Sequence, residues 1–178
     1  MTTLTDPTTT APPLPLPLPL PLGTWQVDPI HTTIGFEVRD MAHLFATVRG
    51  RFTDFDGTVE CTPDGTRAWG AIRVASLTTD HADRDENLRS SAFLDADGSP
   101  EIRFESDAVE VARDGTVRIS GALELKGMRS DVELRGRVLG CGTDHRGSER
   151  LAIAAEGALP FGPMQVTLVV DVSAVKAA

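Results

Sequence analysis

A mainly β fold, an antiparallel barrel of about eight strands with one short helical insert, is what this chain predicts, on three observations. Apolar and polar residues alternate through most of the chain, as where Ile34, Phe36 and Val38 are set between Gly35, Glu37 and Arg39, so each extended segment has one greasy and one wetted face. Turn-forming pairs such as Asp64-Gly65, Asp114-Gly115 and Lys126-Gly127 interrupt that alternation at short intervals. Gly35, Gly50, Gly121 and Gly136 fall within or beside the strands, where tight bending needs them. The same periodicity suits a two-sheet sandwich, and only the glycines tilt the choice toward a barrel.

Taken in order, residues 1–22 read MTTLTDPTTTAPPLPLPLPLPL, and the alternating prolines, each lacking an amide donor, predict a disordered or polyproline II tail. The tail serves either as a docking segment for a proline-binding groove or as a solvated leader. No Lys or Arg precedes Arg39, so the basic start of a secretory signal is missing and a cytoplasmic location is expected. The barrel domain is expected to span residues 23–178. Trp25 and Val27 lead into the strand around Ile34, and a second strand is expected over 46–53. Asp56-Gly57 reads as a turn between Phe55 and Val59, and Ile72 and Val74 resume the alternation. The period then changes at HADRDENLRSSAF, where Asp80 or Asp83 is the expected N-cap of a helix and Leu88 and Phe93 are its large apolar residues. After a polar loop over 95–100, strands are expected through Ile102 and Phe104, Val117 to Leu125, Val132 to Val138, Leu151 to Leu159, and Val166 to Val172.

A length of 178 residues suffices for one domain plus the tail. The formal charge of −9, with Lys and Arg scattered, argues against a nucleic-acid partner and against an anionic membrane surface; no stable membrane insertion is expected. Aromatic residues make up 5% and Tyr is absent, so stacking platforms for bases or sugars are scarce. Cys61 and Cys141 have no framework spacing and read as free thiols of a reducing compartment.

Asp28 with His31, and Asp40 with His43, have the residue types of a metal site, but D-x-x-H spacing is not diagnostic and no His-x-His or Cys-x-x-Cys reinforces it. The alternative is a turn in which Asp28 accepts backbone amides. No G-x-S-x-G elbow exists for a nucleophilic serine, which leaves a His31/Asp28 acid–base pair as the enzymatic reading. In the helical segment, Arg84, Asp85 and Arg89 either steer a polar headgroup or anchor the insert at the barrel mouth. The inward candidates are Ile34, Phe36, Val38, Val48, Ile72, Val74, Ile102, Phe104, Val117, Ile119, Leu123, Val132 and Leu134, joined by Leu88 and Phe93, and none is ionisable. A cavity so lined rejects charge and accepts an alkyl or prenyl chain, although periodicity equally allows a barrel filled by its own side chains.

Several stretches, in order, resemble the YceI-like proteins, a lipocalin-like β-barrel family that binds polyisoprenoid lipids. They are WQVDPIHTTIGFEVRDM, VRGRF, RDENLRSSAFLD, PEIRFES, GALELKGMRSDVEL and the ending VTLVVDVSAVK. The resemblance implies a lengthwise apolar channel capped by the helical insert, a bound isoprenoid lipid or isoprenoid quinone in place of any cofactor, no metal and no catalysis, and pairing as a homodimer. The chain departs from the family where Asp40 stands in place of the usual histidine and His43 follows, and in a plainer segment between Cys141 and Gln165. The tail has no counterpart in the family.

Overall fold

The alternation becomes eleven strands in the computed structural model, which describes residues 20–39 and 45–178. They are β1 (Gly23–Val27), β2 (Thr33–Arg39), β3 (Thr47–Phe52), β4 (Phe55–Thr62), β5 (Gly65–Arg73), β6 (Leu77–Thr78), β7 (Glu101–Val111), β8 (Thr116–Leu125), β9 (Met128–Thr143), β10 (Glu149–Phe161) and β11 (Met164–Lys176). One helix, α1 (Ala82–Arg89), lies between β6 and β7. Residues 1–19 of the expected tail, and Asp40 and His43, lie outside the described residues.

Eight of the strands close on themselves in the order β1-β4-β5-β7-β8-β9-β10-β11, with β1 pairing back onto β11. Every pairing is antiparallel, which short hairpins such as Lys126-Gly127 permit. Strands β2, β3 and β6 form a branch from the edge of β11 that β1 also uses. Along that edge Val166 to Asp171 pair with β2, and Ala174 to Lys176 pair with β1. The crossing between the two is fastened at Ser173, whose carbonyl accepts from the Asp28 amide at 2.8 Å and the Thr32 hydroxyl at 3.1 Å, while its own amide donates to Thr32 Oγ1 at 3.0 Å. Both backbone polar groups of Ser173 are thereby paired where the partner strand changes.

The turn at Asp56-Gly57 and the helix cap differ from expectation. Asp56-Gly57 is no turn: both residues lie in β4, with Gly57 opposite Gly70 and the turn moved to Thr53-Asp54. The helix is capped by His81, whose Nδ1 accepts from the Arg84 amide at 3.4 Å, and not by Asp80 or Asp83. Asp80 adopts a left-handed φ of 59° and forms a fork of hydrogen bonds with Arg51 instead. Asp83 falls in the first turn with Asp85, where the helix N-terminus favours negative charge.

The interior has three apolar layers. At one end Leu20, Trp25, Val59, Cys61, Val117, Val138, Leu151, Ile153 and Ala174 form a solid floor. At the other, Phe52, Phe55, Val74, Leu77, Leu88, Ile102 and Leu125 pack beneath α1. Between them Val132, Leu134 and Ala155 form a buried patch of the wall. Leu20, in the stretch expected as tail, is packed in the floor.

The barrel coils tightly enough to demand glycine. A Cβ on Gly136 would stand 1.8 Å from the Ala154 carbonyl oxygen and 2.6 Å from the Ala155 Cα, contacts that only a backbone shift relieves. Gly136→Ala is therefore expected to lower stability by about 3 kcal/mol, read as a fall in the urea midpoint. Gly140→Ala, whose Cβ would meet nothing within 4 Å, is expected to stay within about 0.5 kcal/mol of the parent.

Candidate functional site

The alternating inward residues do not fill the barrel. A hollow of about 250 Å³ is left between the floor and the helix. Its walls on β10 and β11 run from Ile153 to Phe161 and from Met164 to Val172, which at ~3.4 Å per residue and a tilt of ~40° is roughly 20 Å along the barrel axis. Space is created in part by omission. Gly57 and Gly70 face each other across β4 and β5 between the inward Phe55, Val59 and Ile72, so the hollow reaches the backbone of Asp56, Thr58, Trp69 and Ala71.

Of the residues expected to line a channel, Ile34, Phe36, Val38, Ile72, Leu88, Phe93, Ile102, Phe104, Ile119, Leu123, Val132 and Leu134 border this hollow. Val48, Val74 and Val117 do not. Val48 is buried opposite Val38 in the branch, Val74 is sealed in a 3-10 turn beneath α1, and Val117 belongs to the floor. The walls also include Phe52 and Phe55, and Leu159, Phe161, Leu168, Val170 and Val172 from the last two strands. The sequence carries a faint sign of these: Val166, Leu168, Val170 and Val172 keep period two with Asp171 on the opposite face.

The lining holds one ionisable residue, Asp56. Its carboxylate is exposed and takes a 2.7 Å hydrogen bond from Arg73 Nη2, so no fixed charge stands in the hollow. The two cysteines are free, and burial pushes both thiols up, Cys61 within the floor and Cys141 against it. Among the described residues no group of three His, Cys, Asp or Glu side chains is placed to hold a metal ion. Nor is any helix among them long and apolar enough to cross a membrane.

The expected mouth residues fall into two clamps. Asp28 Oδ1 accepts from the Ile30 amide at 3.0 Å, and Asp28 Oδ2 pairs with His31 Nδ1 and Arg150 Nη1, each at 2.8 Å. Arg150 also donates from Nε to Asp144 at 2.7 Å, so one guanidinium joins two turns of the barrel end. The Arg150 and His31 bonds hold the Asp28 carboxyl down at about 2, and Arg150 keeps Asp144 well below the usual carboxylate range. Neither Asp28 nor His31 borders the hollow.

The second clamp fixes the helix. Asp85, only 6% exposed, accepts from the Thr79 amide at 2.7 Å, the Thr79 hydroxyl at 2.5 Å and the Thr78 hydroxyl at 3.0 Å. Burial alone would raise its carboxyl, but these bonds and the Arg89 charge bring it below its ordinary value. Arg84 donates to the Thr79 hydroxyl and carbonyl, and Arg89 to the Leu77 carbonyl, so α1 is tied to β6 beside the hollow.

Comparison with known proteins places this geometry. A family model described as YceI-like domain matches residues 25–174. UPF0312 protein ECA1782 of Pectobacterium atrosepticum is 33% identical over 141 residues, covering 77% of this chain and 71% of its own. Among solved structures, BcnA of Burkholderia cenocepacia aligns with a TM-score of 0.70 at 18% identity, over 83% of this chain and 98% of its own. A domain from Saccharophagus degradans, described as polyisoprenoid binding and implicated in plant cell wall breakdown, aligns with a TM-score of 0.65 at 13% identity, over 88% of this chain and 99% of its own.

The Asp28 clamp gives a pH signature. Because its folded-state value is depressed from 3.8 to about 2, the stabilisation is present above the unfolded value and disappears as pH falls through about 2. Asp28→Asn is expected to cost about 1–2 kcal/mol at pH 7 and to match the parent near the acid limit. Denaturant titrations across that range check it; a constant offset at all pH values would contradict it.

Proposed function

The chain belongs to the YceI-like domain family, and from that membership we propose that it binds and carries an apolar isoprenoid chain, as a free polyisoprenoid or the tail of an isoprenoid quinone, along the hollow of its barrel without transforming it. The observation that carries the reading is the elongated hollow lined by aliphatic and phenyl side chains with no fixed charge. Such walls offer a substrate no acid, base or nucleophile, and they impose a severe desolvation penalty on any ion. They offer an alkyl chain about 0.8 kcal/mol for each methylene withdrawn from water, so a chain of ten or more carbons gains about 8 kcal/mol or more before the costs of association and ordering are subtracted. The polyisoprenoid-binding description of the Saccharophagus degradans domain supports the same ligand class.

The acid–base alternative has less support. Asp28 is committed to Arg150 and His31 in a turn outside the hollow, where its charge is held by a permanent cation. A carboxylate stabilised in this way is a weak base.

A geranylgeranyl chain carrying a fluorophore, titrated into protein stripped of lipid, tests the proposal. Binding near one chain per barrel is expected. Ala155→Phe, which fills a buried wall position, is expected to weaken it at least about tenfold, a loss of about 1.4 kcal/mol. Leu139→Asp, at an exposed site on β9, is expected to leave it unchanged. Equal loss in both variants, or no uptake by the parent, would overturn the reading.

A further inference from the structure

Leu20, Pro21 and Leu22, which end the Pro-Leu stretch, do not border the hollow, yet Leu20 is built into the barrel. Leu20 is 4% exposed and belongs to the floor cluster with Trp25, Cys61, Val117 and Leu151. Leu22, one repeat on, is 53% exposed. Polyproline II has three residues per turn, so leucines two apart point in different directions and one can be inserted while the next stays in water.

The contact is polar as well as apolar. Trp25 is 1% exposed, and a buried indole N–H requires an acceptor. Trp25 Nε1 finds it in the Pro21 carbonyl at 3.1 Å, and Lys176 Nζ lies 5.6 Å from the centre of the Trp25 ring. A proline-rich segment suits this position because prolines bring carbonyl acceptors without adding amide donors that need partners. The floor is also the wall of the hollow: Val59 and Ile153 belong to both. The segment precedes residue 25, where the match to the family begins.

We infer that residues 20–22 are a stopper, with Leu20 inserted and the Pro21 carbonyl latched to Trp25, which closes the end of the barrel opposite α1 and keeps water and ligand from passing through the floor. This rests on the binding reading only where ligand passage is concerned; the insertion itself can be read without any ligand.

The test uses the full-length chain with Trp69→Phe, so that Trp25 is the only indole. Leu20→Asp is expected to move acrylamide quenching of Trp25 toward that of an exposed indole and to make the Cys61 thiol reactive to an aromatic disulfide reagent, with the β-sheet circular dichroism retained. Leu20→Ala, a milder change, is expected to move both in the same direction, and Leu20→Met to restore protection. With N-phenyl-1-naphthylamine loaded as an apolar probe, release from Leu20→Asp is expected to be about tenfold faster than from the parent. Unchanged quenching and thiol reactivity in the Asp and Ala variants would overturn the insertion. An exposed Trp25 with unchanged probe release would overturn the stopper. If the parent takes up neither the probe nor a prenyl chain, the binding reading fails, and the indole and thiol readings decide the insertion by themselves.

Discussion

Strand β11 has to satisfy two successive partners along one edge, and the closure of the molecule depends on that change of partner. At its C-terminal end it completes the ring through β1; toward its N-terminus it supports the branch that starts with β2. The chain crosses between the two at residues 28–32, and Ser173 is where the crossing is fastened. Asp28 and Thr32 sit at either end of the crossing, and Arg150 carries the connection on to Asp144 in the turn between β9 and β10. The conspicuous D-P-I-H sequence is thereby part of the closure. A histidine and a carboxylate 2.8 Å apart invite a catalytic reading, but here the partners of the carboxylate explain it without one.

Closure by hydrogen bonding leaves the interior to be settled by side-chain volume. One end is filled by Trp25 and its neighbours, and toward the other Phe52, Phe55, Val74 and Leu77 pack beneath α1. The middle is not filled, because Gly57 and Gly70 add no side chain and Ala155 adds little. A void among apolar side chains forfeits dispersion contacts, so an occupant of the same character would recover them. The helix stands beside this void on a clamp made of Asp85, Arg84 and Arg89, which places a short polar helix next to an apolar interior with only Leu88 contributed to the core.

Much of the fold was legible because antiparallel strands with one wet face leave a period-two record. Ile34, Phe36 and Val38, and Ile119 and Leu123, could be assigned inward from their neighbours alone. The record blurs where both faces are apolar. In β11, Leu168, Val169 and Val170 are consecutive, so alternation alone does not single out which of them form the wall. Asp56-Gly57 has the composition of a turn, but Gly57 is there to face Gly70. Val48 and Val74 fit the period-two pattern, but Val48 stands short of Gly50 and Phe52 on β3, of which Phe52 alone borders the hollow, and Val74 has left the strand for a 3-10 turn. His81 as helix cap follows from Asp80 being drawn to Arg51, a partner 29 residues away that local pattern does not reveal. Leu20 was hidden inside a low-complexity repeat whose composition predicts disorder.

The central claim is that the middle of the barrel holds an apolar chain. Native mass spectrometry of the protein purified from its own cells without detergent tests it most directly. The account predicts a population heavier than the polypeptide by the mass of one intact prenyl lipid, dissociating as a neutral or singly charged species on collisional activation. Polypeptide mass alone, in preparation after preparation and after incubation with prenyl lipids, would contradict it.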